Sequence, residues 1–503
     1  MQPIAQHLKP KLYMNTKTSG GFSITNYHNV SEIYRQLDTL VNQAPHPIRR
    51  KDMEAYLEGF QKKYASSKPV IEQAMEFIPG GVQHNLAFNY PFPIVFDRAE
   101  GAYLYDKDGK RHIDFLQAGG PTVLGSNYPA VKEKMLKLIK NTGPSTGLFH
   151  EYELKIAQFI CEHLPGVDMF RMLGSGTEAC MAAIRVARLA TGKKNIIKMG
   201  GGYHGWSDSL VYALRIPGTA GFDAHGIPRA SRKYTQEAFP NDIKSLERRL
   251  RKNKLSGRGT AAVIVEPMGT ESGTRPVDYE HNQQIRQLCD RYGALLIFDE
   301  VVTAFRVGIS GAQGYFGVKP DLTVFGKVVA GGYPAAGGLG GSRDLMEYLA
   351  AGLQTGKKRA MVGGTLAANP LSSAAGYYTL KEIKEQQACE KAGAAGDRLT
   401  LGLQQIIKDL DLPFVAYNQG SICHLETTGT MFMPINMKKF WTIPKTLKEI
   451  KIRKHMMEEM GAAYMMEGIV TLAGSRMYTS MADTDEVIDE ALSGFERVLS
   501  KCK

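Results

Sequence analysis

From about residue 120 to 375 the chain repeats one pattern: a short apolar run, a glycine-rich turn, then an amphipathic stretch. Residues 169–173 run into Gly174-Ser175-Gly176-Thr177-Glu178, followed by helical spacing to Leu189 and a stop at Gly192. Residues 196–199 run into Gly200-Gly201-Gly202-Tyr203-His204-Gly205. Residues 261–265 end at Glu266-Pro267, residues 294–298 at Asp299, and residues 322–325 at Gly326-Lys327, while residues 278–292 carry helical spacing. Short strands alternating with helices predict right-handed βαβ crossovers and a parallel sheet covered on both faces.

The flanks read differently. Residues 15–30 are polar and turn-prone, and helices are expected over residues 31–41 and 51–66. In the first, Ile33, Leu37 and Leu40 fall on one face. Residues 102–105 and 112–115 read as two strands joined by a turn through Asp106-Lys107-Asp108-Gly109. Beyond about 380 the chain carries charged helices, the last near 484–499. The division this suggests is a partly helical N-terminal extension (1–68), the N-terminal part of a small domain (69–120), a large domain (121–375) and the rest of the small domain (376–503).

Composition narrows the choice of function. A chain of 503 residues, 43% hydrophobic and 22% charged, is neither disordered nor collagen-like. Its 53 glycines exceed the roughly 35 of average usage, as expected where backbone must approach a ligand closely. No apolar run reaches the ~18 residues of a membrane span. The net charge of +12 resides partly in short clusters, Arg49-Arg50-Lys51 and residues 248–254, without interleaved aromatics. They read as solvated helix faces or an anionic-substrate field rather than a nucleic-acid site. Six cysteines show neither CxxC nor metal-ligand spacing, so reduced thiols in a cytoplasmic protein, with no metal, are expected. The N-terminus lacks a secretory apolar region, and a cleaved leader is not expected.

In a parallel sheet the C-terminal ends of the strands share one edge, where ligands bind. That edge gathers Ser175, Gly176, Thr177, Tyr203, His204, Glu266, Asp299 and Lys327. Residues 174–178 alone also read as a capped helix start, and Tyr203 with His204 as a structural turn. Asp299 and Lys327 resist that reading, because a carboxylate in an apolar rim needs a partner and lysine is rarely buried without a role. One chemistry accounts for the set. A buried lysine of depressed pKa is a good Schiff-base amine, and amides at a helix start suit a phosphate. The ring of Tyr203 can stack on a flat cofactor. Asp299 can hold a pyridine nitrogen protonated, which makes pyridoxal phosphate an electron sink. At ~3 Å and an effective dielectric near 20 that pair is of order 5 kcal/mol before desolvation.

Residues 69–500 resemble the class III aminotransferases, most closely the glutamate-1-semialdehyde aminomutase branch. The resemblance rests on Ile78-Pro79-Gly80-Gly81-Val82, Gly101-Ala102-Tyr103-Leu104-Tyr105-Asp106, Val123-Leu124-Gly125-Ser126-Asn127-Tyr128-Pro129-Ala130 and Ser175-Gly176-Thr177-Glu178-Ala179. Further along it rests on Tyr203-His204-Gly205, Asp299-Glu300-Val301-Val302-Thr303-Ala304-Phe305-Arg306, Pro320-Asp321-Leu322-Thr323-Val324-Phe325-Gly326-Lys327 and Gly364-Thr365-Leu366 before Asn369-Pro370. It implies the α/β architecture of fold-type I pyridoxal-phosphate transferases: a large domain with a mostly parallel seven-stranded sheet, plus a smaller α+β domain. It also implies a homodimer with a shared active site, acting on a small-molecule amino donor and a carbonyl acceptor. By the same resemblance Lys327 carries the cofactor as a Schiff base and moves the substrate proton, and Asp299 pairs with the pyridinium. Gly176 and Thr177 hold the phosphate with Thr365 of the neighbouring subunit, Tyr203 and Val301 cover the ring faces, and Glu266 stands behind.

The departures concern substrate. The aminomutase pattern places an Arg shortly after the Gly-Gly-Val turn, where residues 83–88 here have none. It also has a Trp where Gly119 stands, and many relatives carry Gln where Val302 stands. A wider, altered pocket is expected. Arg476 is the candidate for a substrate carboxylate, against the alternative of a surface salt bridge. An aminotransferase is the expected activity, with an intramolecular aminomutase or a racemase as the alternatives; a nucleic-acid-binding protein on an inactive fold is the remote one.

Overall fold

The computed structural model describes residues 21–219, 224–352, 358–433 and 443–502. Its centre is a seven-stranded sheet. Numbered in chain order within it, the strands are β1 (Met169–Leu173), β2 (Asn195–Met199), β3 (Thr235–Ala238), β4 (Thr260–Val265), β5 (Leu295–Asp299), β6 (Leu322–Gly326) and β7 (Gly337–Gly341). They lie in the order β1-β7-β6-β5-β4-β2-β3. The pairs β6–β5, β5–β4, β4–β2 and β2–β3 are parallel, whereas β7 runs antiparallel to both β6 and β1.

The expected strands are all present, and the sheet is buried on both faces. Ile264, Ile297 and Val324 pack on one side with Ala183 of the helix Gly176–Thr191. Val263, Leu296 and Phe298 pack on the other with Leu246, Leu250 and Ile285 of the helices Ile243–Leu255 and His281–Tyr292. Continuous apolar runs are what a parallel sheet with two covered faces requires. The basic residues of segment 248–254, Arg248, Arg249, Arg251, Lys252 and Lys254, are exposed on Ile243–Leu255, while Leu250 and Asn253 turn inward.

One strand had no sequence signal. β7 is four glycines around Leu339, a composition of low strand propensity. Crowding explains it: a Cβ on Gly337 would lie 2.3–2.5 Å from the Ser175 backbone. Only glycine lets this strand wedge between β1 and β6 at the edge where Gly337 pairs with Leu173 and Gly326.

The smaller unit has a four-stranded sheet of Phe96–Glu100, Tyr103–Asp106, Arg111–Asp114 and Ile469–Val470, and a three-stranded one of Val415–Gln419, Ile422–Glu426 and Arg476–Tyr478. Its last helix is Asp485–Leu499. The helices Val30–Asn42 and Arg50–Lys63 do not stand apart from it. Ile33, Leu37, Leu40, Phe60 and Tyr64 share one core with Phe115, Leu399, Leu425 and Phe495. Ahead of them the chain touches the larger unit, where the Ser23 N–H donates to Val307 O (2.7 Å) and the Tyr27 hydroxyl to Val277 O (2.6 Å). Among the described residues no helix is long and apolar enough to cross a membrane.

Candidate active site

The C-terminal ends of β1, β2, β4, β5 and β6 meet on one rim. After β1, Ser175 caps the helix Gly176–Thr191 by accepting from the Glu178 N–H (3.2 Å), and Glu178 accepts from the Gly174 N–H (2.8 Å). Among the described residues nothing accepts from the Gly176 and Thr177 N–H groups, so two amides remain free at the helix start. The loop after β2 presses on that start: a Cβ on Gly205 would lie 2.5 Å from Thr177 Oγ1. Gly205, at φ +83°, therefore keeps Tyr203 and His204 beside Thr177. Val301 fills the space between Gly176 and Gly326; a Cβ on either glycine would come within 2.7 Å of its methyl groups.

Donors converge on Asp299, which is 5% exposed. His204 Nδ1 lies 2.7 Å from Oδ2, Cys180 Sγ 3.5 Å from the same oxygen, and the Val301 N–H donates to Oδ1 over 3.1 Å. Burial holds His204 below the usual histidine pKa, against the pull of Asp299. His204 therefore lies behind Asp299, orienting its carboxylate as a neutral donor. Glu266 closes the base of the loop by accepting from the N–H groups of Tyr203 (3.0 Å), Glu271 (3.1 Å) and Ser272 (2.7 Å). Burial first, and then the Asp299 charge, push its carboxyl up to about 8. The Tyr203 ring stays half exposed at 49%, free to meet a planar ligand.

Sequence reasoning passed over Lys198, whose Nζ donates to Gly202 O (2.7 Å) and Tyr212 O (2.6 Å) and so ties down the loop carrying Tyr203 and His204. The signal was present, since a lysine inside the wholly buried strand β2 needs a reason of its own.

Lys327 follows β6 directly, at φ +48°, a strained conformation for a side chain of its size. Burial lowers its amine below the ordinary lysine pKa; nearby Arg476 and Arg306 act the same way, while Tyr478 and Asp299 oppose. Beside the amine stands Gly119. A Cβ there would lie 3.2 Å from Lys327 Nζ and 3.0 Å from Leu86 Cδ1. This corrects the expectation of a simply widened pocket: Leu86, from residues 83–88, already occupies part of the space. Arg476 is not in a surface salt bridge. It is 16% exposed at the side chain and paired with Glu271, donating to its carbonyl (2.7 Å) and its Oε2 (3.2 Å), while Nε has no partner among the described residues.

Thr365 is exposed, and the adjoining Gly364 lies near Glu178 at the helix start. Beside Gly364 lies a groove of about 430 Å³ lined by Phe149, Glu153, Leu154, Phe170, Arg171 and Met172, while Thr365 lines a neighbouring one with Leu148 and Asn369. Leu148 and Met361 beside it are 81% and 79% exposed.

Free amides at a helix start, a half-exposed ring over them, a buried carboxylate with its own donors and an amine of lowered pKa suit a flat, phosphorylated, nitrogen-containing aldehyde. Comparison with known proteins agrees with that chemistry. The chain is 40% identical over 363 residues to a glutamate-1-semialdehyde 2,1-aminomutase of Alkaliphilus metalliredigens, covering 70% of this chain and 79% of that protein. It shares its fold with an omega-transaminase from Sphaerobacter thermophilus (TM-score 0.76, 25% identity, 87% of this chain and 97% of that one). A transaminase solved with PLP bound is similar to the same degree (TM-score 0.75, 25% identity, 87% and 97%). Residues 86–499 match the family model for aminotransferase class-III, and with strand order, rim and sequence in agreement the chain belongs to that family of pyridoxal-phosphate enzymes.

Proposed function

We propose that the protein is a pyridoxal-phosphate-dependent aminotransferase, moving an amino group from an amino acid or amine to a keto or aldehyde acceptor. The observation that carries this reading is the juxtaposition on one rim of the buried Lys327 amine and the donor-surrounded Asp299 carboxylate. When bound, the cofactor supplies an electron sink for the carbon that bears the amino group. The chain's own residues do the rest. Gly176 and Thr177 offer their amides and the Thr177 hydroxyl to the phosphate. Tyr203 and Val301 cover the two ring faces, and Asp299, oriented by His204, faces the ring nitrogen. Ser175 and Glu266 hold the two loops in place. Lys327, deprotonated more readily than a free lysine, supplies the amine and then carries the proton at the substrate carbon.

Arg476 is the residue we assign to a substrate carboxylate; a carboxylate reaches its guanidinium by displacing Glu271. Leu86 beside Lys327, with no arginine in residues 83–88, favours an apolar group on the opposite side. Exposed apolar side chains near Thr365, among them Leu148, Phe149 and Met361, support a homodimer in which Thr365 reaches the partner's phosphate site. The six cysteines are free thiols, five of them buried, in keeping with a cytoplasmic setting.

The 40% identity to an aminomutase favours a second reading, in which both amino transfers occur on one molecule. An amino-group balance separates the two. Isotopically labelled donor amine should appear on a separate carbonyl acceptor, with no turnover when the acceptor is omitted. Conversion of a single substrate without any acceptor would establish a mutase or racemase instead.

A further inference from the structure

Residues 117–120 form a turn with four consecutive positive φ angles: +46° at Gln117, +51° at Ala118, +83° at Gly119 and +111° at Gly120. Two of these are not glycine, so the turn is strained and must be held from outside. It matters because Gly119 lies against the Lys327 amine. Asp114 restrains the turn's entry, accepting from the Leu116 (3.1 Å) and Gln117 (2.8 Å) N–H groups. At its exit the Gly120 carbonyl accepts from Arg306.

Arg306 is wholly buried and, among the described residues, has no carboxylate partner within ion-pair distance. Its Nε (2.9 Å) and Nη2 (2.6 Å) both donate to Gly120 O, and Nη2 also donates to Gln117 Oε1 (2.9 Å). Its Nη1 donates to Thr479 O (2.8 Å) and to Ser421 Oγ (3.0 Å) in the smaller unit. Gln117 passes the contact on through Nε2 to Asp483 Oδ2 (3.3 Å). Arg306 belongs to the segment that leaves β5 after Asp299. An unpaired buried guanidinium is costly, and a merely structural peg would be better served by an apolar residue.

We propose that Arg306 is a positioning residue that locks the strained turn 117–120 against the Lys327 amine, tying it to the Asp299 segment and to the smaller unit. The proposal rests on Lys327 being the reactive amine. Two consequences follow from the fork. The turn covers part of Lys327, and the guanidinium adds a positive charge near the amine, alongside Arg476 and against Tyr478 and Asp299. Both favour the neutral, nucleophilic amine.

The test needs no turnover. In apoprotein, the rate of Lys327 modification by an amine acylating reagent is followed against pH by peptide mass spectrometry, together with amide exchange at Gly119 and Gly120. In Arg306→Met the midpoint of Lys327 modification should rise by about half a pH unit or more, and both amides should exchange roughly tenfold faster. Arg306→Lys, which keeps the charge but loses the fork, should show the fast exchange with a smaller rise. Should those proteins fail to fold, Gln117→Met removes one arm of the fork and should shift both readouts in the same direction. Profiles and exchange rates matching wild type in the folded Arg306 or Gln117 variants would overturn the proposal. A wild-type Lys327 that titrates as an ordinary lysine would instead contradict the reading of the reactive amine.

Discussion

Around Asp299, donors converge from three segments; Gly205 and Gly337 let their stretches of chain press on Thr177 and Ser175, and Gly176 and Gly326 make room for Val301. Around Gly119 the neighbours are the end of the Leu86 side chain, from a short turn outside the sheets, the Lys327 amine, and the Tyr478 ring beside Gly120. The first region is built from strand ends whose positions the sheet topology dictates, so one substitution there disturbs several partners. The second draws Leu86 from a short turn outside the sheets, a side chain that can vary without moving them. On the proposed function, the first region serves the cofactor and Leu86 in the second serves substrate choice.

The largest effect expected from breaking the first region is in Asp299→Asn. The variant should keep its fold and bind cofactor, yet lose roughly 10²-fold or more in kcat, because an amide cannot hold a ring nitrogen charged. Steady-state rates near wild type would remove Asp299 from the chemistry.

The next prediction joins the rim to the exposed groove. Lys327→Ala and Thr365→Ala subunits, each poorly active alone, should regain activity on mixing, since one site of the heterodimer then carries both residues. No recovery after verified subunit exchange would place Thr365 in the service of its own chain.

In the second region Leu86→Ala should cost about tenfold in kcat/KM for donors with a large apolar group, from roughly 1.5 kcal/mol of lost contact, with little change for small acidic donors. Equal losses for both kinds would mean Leu86 does not touch the substrate side chain. Gly119→Trp would be a poorer probe, because φ is +83° there and a Cβ already crowds Leu86 and Lys327.

The smallest effect concerns Glu266. A carboxyl whose pKa is raised on folding from 4.5 to about 8 contributes stability that is complete below 4.5 and is lost as pH rises through 8. Glu266→Gln should therefore flatten part of the decline in apoprotein Tm between those limits. An unchanged slope would show that the carboxyl is not held in its neutral form.

Much of this was legible in the sequence, for reasons that differ by residue. The strands β4, β5 and β6 announced themselves because a strand covered on both faces is apolar throughout, and Asp299 and Lys327 stood out as charges at their ends. β7 was hidden because crowding selects glycine, which carries no strand signature. His204 was legible as a rim residue but not as the partner of Asp299, a contact spanning 95 positions. Leu86 and Arg306 were hidden for the same reason, since what each touches is set by loops meeting far from one another in sequence. The helices Val30–Asn42 and Arg50–Lys63 were found from their apolar spacing, whereas their sharing of the small unit's core was not.

The central claim, that the rim centred on Lys327 is the cofactor site, is tested most directly by reduction with borohydride followed by peptide mapping of the holoprotein. The account predicts a single pyridoxyl adduct, on Lys327, absent when Lys327→Ala is treated in the same way. An adduct on any other lysine would contradict it.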